Sequence, residues 1–238
     1  MDTQFVQIKK RQESFYIENR TSDQHVDWWK NVFPWWEEET FDIFDKYLIQ
    51  DKIFIDIGGW IGTTCMYGSR KSKHVYVYEA DLNSVEYLKK NCDNNNCRNV
   101  TIVDNAVFSS NTYVFFGKNK NVPTSKLNDS MSQVYTDTDD VTNCYRIKAV
   151  TIDDIFKQNN LNPFEVSLIK VDIEGGEESI LDDLYKIHRE YGVTLYVSFH
   201  HCWWTDKNLN RFEFLTEEHK NAIYKNPFHS ILFTSKSL

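Results

Sequence analysis

Short, almost continuously apolar runs recur along this chain near residues 52–57, 74–79, 99–104, 166–172 and 193–200, rich in Val, Ile, Leu, Phe and Tyr. Runs of that length without polar alternation predict strands buried on both faces. Between them, near 62–70, 82–94, 151–158 and 176–189, the apolar positions fall at helical spacing. Strand and helix thus alternate, which predicts an α/β fold with a mostly parallel central sheet and helices on both faces.

The flanks break this rhythm. Residues 1–34 read as an accessory segment ahead of a main domain over 35–238. Within it, Phe5–Ile8 and Ser14–Ile17 can pair as short strands, and Trp28, Trp29, Phe33 and Trp35 cluster before the next element. Glu37–Ile49 then reads as a helix, with Phe41, Phe44, Tyr47 and Leu48 on one face and glutamates in the first turn, where the helix dipole favours them. An extended region from Tyr113 to Val150, acidic at Thr136–Asp140, predicts a lid or an extra hairpin. A helix over Glu217–Lys225 and a strand over Ser230–Thr234 would complete the sheet. No internal repeat or linker is evident.

Chemistry enters at the end of the first apolar run. Asp56-x-Gly58-Gly59-x-x-Gly62 is a tight strand-to-helix turn whose glycines let the backbone approach a ligand. The next strand ends on Glu79, a carboxylate that can accept both hydrogens of a ribose diol. A dinucleotide site would instead want Gly-x-Gly-x-x-Gly facing a pyrophosphate. Asp56 would repel that pyrophosphate but suits the ammonium end of S-adenosylmethionine. In an open parallel sheet, ligands bind beyond the carboxyl ends of the strands; Asn105-Ala106, Asp172 and His200 fall at such ends too.

Several segments together resemble the FkbM-like family of S-adenosylmethionine-dependent O-methyltransferases. They are Trp36-Glu37-x-x-Thr40-Phe41, Asp56 to Gly62, Tyr78-Glu79-Ala80-Asp81, Asn105-Ala106-Val107, Thr151 to Asp154, Ile169 to Glu177 and Leu195 to His200. The resemblance runs from about Trp36 to His201 and departs at Gly59, where the family often has alanine, and at His200-His201, where His-Pro is more usual. It implies a Rossmann-like class I methyltransferase fold, a cofactor site drawing on Glu37, Asp56, Gly58, Gly59, Gly62, Glu79, Ala80, Asn105, Ala106 and Asp172, and glycans as the leading acceptor class. Glu37 would reach the methionine end of the cofactor, and the Asn105 amide the adenine edge.

Transfer of a methyl group to an alcohol requires in-line positioning and removal of the hydroxyl proton. His200 is the expected base, since neutral imidazole titrates near working pH, with Asp172 beside it as the second catalytic residue. His201, Trp203 and Trp204 are expected on the acceptor side, the tryptophans as an apolar wall for a sugar ring. Asp172, Glu174, His200 and His201 are also possible ligands for a divalent metal, but their spacing defines no site and none is expected.

Composition narrows the rest. A formal charge of −8 argues against nonspecific nucleic-acid binding, which depends on neutralising phosphates. A neutral small-molecule or glycan acceptor is expected instead. No apolar run approaches the roughly 18–20 residues of a membrane span, and the first residues, Met1 to Phe5, do not read as a signal peptide; a cytoplasmic protein is expected. Five cysteines, odd in number and without Cys-x-x-Cys spacing, indicate free thiols.

Overall fold

The computed structural model describes residues 5–19, 25–125, 131–137 and 143–235. Met1 to Gln4, and Thr138, Asp139 and Asp140 of the acidic stretch, lie outside the described residues. The chain opens with an antiparallel hairpin, β1 (Phe5–Lys10) and β2 (Glu13–Glu18), then α1 (His25–Asn31) and α2 (Glu38–Tyr47). The central sheet takes β3 (Ile53–Ile57), β4 (His74–Tyr78), β5 (Val100–Val103), β10 (Val166–Val171), β11 (Thr194–Ser198) and β12 (Ser230–Phe233). Helices α3 (Thr63–Ser69), α4 (Leu82–Asn94), α5 (Ile152–Gln158), α6 (Leu181–Tyr191) and α7 (Glu217–Lys225) link or flank them.

The strand order is β12-β11-β10-β3-β4-β5, parallel throughout except for β12. The chain builds outward from β3 through β4 to β5, then returns to add β10 and β11 on the other side. The direction of winding therefore reverses between β3 and β10, and the helices leave a crevice above that switch point.

Side chains alternate across the sheet and create two cores. Ile53, Ile55 and Ile57 pack under α5 and α6, with Leu181, Leu184 and Ile187. Phe54 and Leu168 face the other way, against α2, α3, α4 and the N-terminal hairpin, through Phe41, Phe44, Met66, Leu88, Phe15 and Trp29. The hairpin also anchors the approach to α2: Lys10, fully buried, donates to the Trp36 carbonyl at 2.7 Å and pairs with Glu38.

Three expectations change in detail. The described parts of 113–150 form more than a lone hairpin. Strands β7 (Tyr113–Gly117), β8 (Gln133–Tyr135) and β9 (Cys144–Val150) join the preceding β6 (Ala106–Val107) in a second sheet of order β6-β9-β7-β8, beside the crevice. The last parallel strand ends at Ser198, so His200 and His201 lie beyond it and strand alternation does not orient them. The helix expected from 176 begins with a 3-10 turn, Gly176–Ser179, and becomes α only at Leu181. Among the described residues, no helix is long and apolar enough to cross a membrane. All five cysteines are free.

Candidate active site

A cavity of about 540 Å³ fills the crevice, bounded by the ends of β3, β4, β10 and β11, the start of α2 and the edge of the second sheet. The crowding at its floor explains one glycine. Gly58, at φ +88°, sits so close to β10 that a Cβ there would lie 1.8 Å from the Asp172 carbonyl oxygen. Only glycine fits that approach.

Glu79 ends β4 with its carboxylate against the cavity. One oxygen accepts from the Trp60 backbone N–H and the other from that of Asp81, both at 2.7 Å, which fixes the group while leaving lone pairs free. Burial raises its pKa, to about 7, with the charge of Asp81 adding to it. Asn105 and Ala106 line the same side; the Asn105 amide is tied by Nδ2 to the Lys148 carbonyl at 3.2 Å. At the opposite side stands Glu37, accepting from Thr40 Oγ1 at 3.0 Å, its pKa raised by burial and then by Asp172. Glu37, Trp60 and Glu174 all line the cavity with φ between 45° and 56°. Left-handed backbone in non-glycine residues stores strain of the kind that gathers at functional sites.

At the floor, Lys170 is a buried charged residue not singled out in the sequence. It pairs across the strands with Asp56, its Nζ 3.5 Å from Asp56 Oδ1, 3.6 Å from Asp172 Oδ2 and 3.2 Å from the Gly58 carbonyl. The signal was there: a lysine inside Val166–Val171, a run whose other residues are apolar except Ser167. Burial alone would lower its pKa, but Asp56 and Asp172 raise it, so it stays charged.

Asp56 therefore does not play the expected part. It is fully buried and off the cavity lining, with Oδ2 accepting from Thr64 Oγ1 at 2.6 Å; it holds Lys170, and any influence on a ligand passes through that lysine. Gly59 and Gly62 do not line the cavity either. A Cβ on Gly59 would meet Val77 Cγ2 at 2.1 Å, so its smallness serves packing of the turn on β4, while Gly62, at φ +99°, starts α3.

His200 emerges from β11 into a ring of carboxylates. Its Nδ1 bonds to Glu177 Oε1 at 2.9 Å, while Nε2 lies 3.2 Å from Glu174 Oε2 and 3.6 Å from Asp172 Oδ1. Glu177 is fully buried and accepts further bonds from the backbone N–H groups of Ile173 and Gly175 and from Trp204 Nε1. Burial would lower the His200 pKa, but Glu177, Asp172 and Glu174 outweigh it and push it up to about 10. At neutral pH the imidazole already holds a proton in this arrangement. That corrects the expectation of a free histidine base.

The remaining acceptor-side residues are also repositioned. His201 is buried away from the cavity, with Nε2 against the Lys207 carbonyl at 3.1 Å and its ring edge-on to Trp204 and Tyr224. Trp203 stacks flat on His200, centroids 5.2 Å apart. Trp203 and Trp204 line not the main cavity but a second, open groove of about 800 Å³, which shares Glu174 with it. Of the expected residues, the cavity gathers Glu37, Gly58, Glu79, Ala80, Asn105, Ala106, Asp172 and His200.

The family model of the methyltransferase FkbM domain matches residues 56–224, well over half the chain. The chain belongs to the FkbM methyltransferase family. Membership implies S-adenosylmethionine as the methyl donor, and the cavity fits that group: a side-chain-free floor at Gly58, a carboxylate at the end of β4, and a volume within the few hundred Å³ usual for small-molecule sites. Among solved structures, the chain is similar to the FkbM methyltransferase of Methylobacillus flagellatus, with a TM-score of 0.40 and 20% identity over 62% of this chain and 32% of that one. It thus spans about a third of that protein's length. It is also similar to a precorrin-6y C5,15-methyltransferase from Geobacter metallireducens (TM-score 0.42, 16% identity, 79% of this chain and 73% of that one). An RNA methyltransferase from Salinibacter ruber solved with S-adenosylhomocysteine scores 0.38 at 9% identity, over 74% of this chain and 80% of that one. No curated protein matches significantly in sequence.

Proposed function

We propose that this methyltransferase acts on oxygen, methylating a hydroxyl of a sugar, glycan or similar small polar molecule. The observation that carries the reading is the grouping of Asp172, Glu174 and His200 where the cavity meets the groove lined by Trp203. Carboxylates facing a neutral polyhydroxyl compound can accept hydrogen bonds from several hydroxyls, and an aromatic face suits the C–H face of a sugar. The same carboxylates, with Glu37 beside them, would repel a phosphate-rich acceptor.

The cofactor supplies an electrophilic methyl on a sulfonium. The chain's residues do the rest. Glu79 would hold the ribose diol, Gly58 would let the ligand lie against bare backbone, and Asn105 would meet the adenine edge. Glu37 and Asp172, both in reach of Lys170, give the zwitterionic methionine end a partner for its ammonium. The acceptor's hydroxyl proton would pass to a cavity carboxylate rather than to His200, which is already protonated, as the methyl leaves sulfur for the acceptor oxygen. Glu37 suits this role, because burial raises its pKa to about 7, which strengthens it as a base while leaving it partly ionised near neutral pH.

The test is incubation with deuteromethyl-labelled S-adenosylmethionine and a panel of sugars, nucleotide sugars and short RNA, scored by mass spectrometry. A labelled methyl on a sugar hydroxyl is the expected result. Labelling of RNA alone would replace the reading with a ribose methyltransferase. Cofactor binding with no acceptor labelled across a broad panel would favour a non-catalytic homologue.

A further inference from the structure

The three groups at the junction of cavity and groove have the makings of more than an acid–base cluster. One oxygen each from Asp172 and Glu174, and Nε2 of His200, lie within 4.8 Å of one another. Asp172 and Glu174 are two residues apart on the turn after β10, and His200 follows the adjacent strand β11, so neighbouring elements deliver all three to one point.

A second observation concerns the imidazole itself. Its side chain is nine-tenths buried, and its hydrogen bond runs through Nδ1 to Glu177, leaving Nε2 aimed at the two carboxylates. Glu177 is in turn immobilised by two backbone N–H groups and the Trp204 indole, and Trp203 covers the ring face. A carboxylate that fixes one ring nitrogen while the other faces the ligand position is the arrangement by which proteins orient a metal-binding histidine; a cation here would displace the Nε2 proton. Charge argues in the same direction. Five carboxylates, Glu37, Asp56, Asp172, Glu174 and Glu177, face Lys170 and His200.

We propose that Asp172, Glu174 and His200 Nε2 bind a divalent cation, with Glu177 as the positioning residue for His200. Two carboxylates and one imidazole suit Mn²⁺ better than Ca²⁺ or Mg²⁺, which prefer oxygen alone. The role of the cation rests on the O-methyltransferase reading: with coordination positions left open to the cavity, it would bind the acceptor hydroxyl and lower its pKa, so that a carboxylate such as Glu37 can take the proton.

Titration of Mn²⁺ into the full chain, with and without S-adenosylhomocysteine, tests the site directly, using the loss of the free-ion electron paramagnetic resonance signal. One bound Mn²⁺ per chain is expected. Asp172→Asn and Glu174→Gln should abolish it, and Glu177→Gln should weaken it about 10- to 100-fold. Glu217→Gln, on an exposed side chain of α7, should leave it unchanged. Glu174→Gln is the decisive variant, since Asp172 also holds the buried Lys170 whereas the ion pair of Glu174 is to His200; cooperative melting of the same sample checks the fold. No binding, or binding that survives both ligand substitutions, overturns the proposal and leaves the proton on His200 as the charge those carboxylates hold. Calorimetry with S-adenosylhomocysteine on the same preparations separates the two readings: cofactor binding without Mn²⁺ binding removes the cation alone, whereas loss of both removes the methyltransferase site.

Discussion

At the level of single residues, the floor of the cavity depends on a buried charge. Lys170 is shielded from solvent between Asp56 and Asp172, and removing one partner of such a set strands the others. Lys170→Met is therefore expected to cost about 3–5 kcal/mol in urea denaturation. Adding Asp56→Asn should restore part of it, because the amide needs no counter-charge. A double variant no more stable than Lys170→Met would contradict this account of the floor. Glu79 and Asp172 were legible in the sequence because each closes an apolar run, where sheet geometry delivers a side chain to the crevice. Lys170, two positions earlier, was not: a lysine in a strand reads as an exposed side chain unless the aspartate opposite it in β3 is known. His200 was found by position, but its protonation depends on Glu177, which reaches it only through the fold.

At the level of elements, the turn between β3 and α3 makes a sharper demand than the family resemblance suggests. Alanine in place of Gly59 looks harmless in sequence, yet its Cβ would lie 2.1 Å from Val77 Cγ2 and 3.2 Å from Leu88 Cδ1. Overpacking of that kind typically costs about 1–3 kcal/mol. Gly59→Ala should lower stability by that amount, and Val77→Ala in the same chain should recover much of it. A Gly59→Ala protein with wild-type stability would show that the turn relaxes freely. The parallel sheet was legible because strands buried on both faces are apolar throughout. The second sheet was not: β8 is only three residues long, and the alternation in β9, with Ile147 and Ala149 buried and Arg146 and Lys148 exposed, gives no hint of its partner. Apolar content also overstated β11. Phe199 and His201 still donate to the His229 and Pro227 carbonyls, but the strand has already given way to a turn.

For the whole molecule, the buried ionisable groups set how stability varies with pH. Glu79 is raised by burial from its ordinary 4.5 to about 7, and His200 from 6.5 to about 10 by Glu177, Asp172 and Glu174 against the effect of burial. Both keep protons in the folded chain that the unfolded chain releases. Their stabilisation is complete below the unfolded values and is lost as pH rises through the folded ones. The Tm of the ligand-free protein should therefore fall as pH rises from about 5 to about 9, and a Tm that climbs over that range would contradict the charge arrangement. The account as a whole depends on the crevice at the β3–β10 switch point being the cofactor site. Calorimetric titration with S-adenosylhomocysteine tests it most directly, on the wild type and on Glu79→Ala. One molecule should bind per wild-type chain, and the variant should bind about tenfold to a hundredfold more weakly, the loss expected for hydrogen bonds to a charged group. Binding of NAD without S-adenosylhomocysteine, or equal affinity in Glu79→Ala, would contradict it.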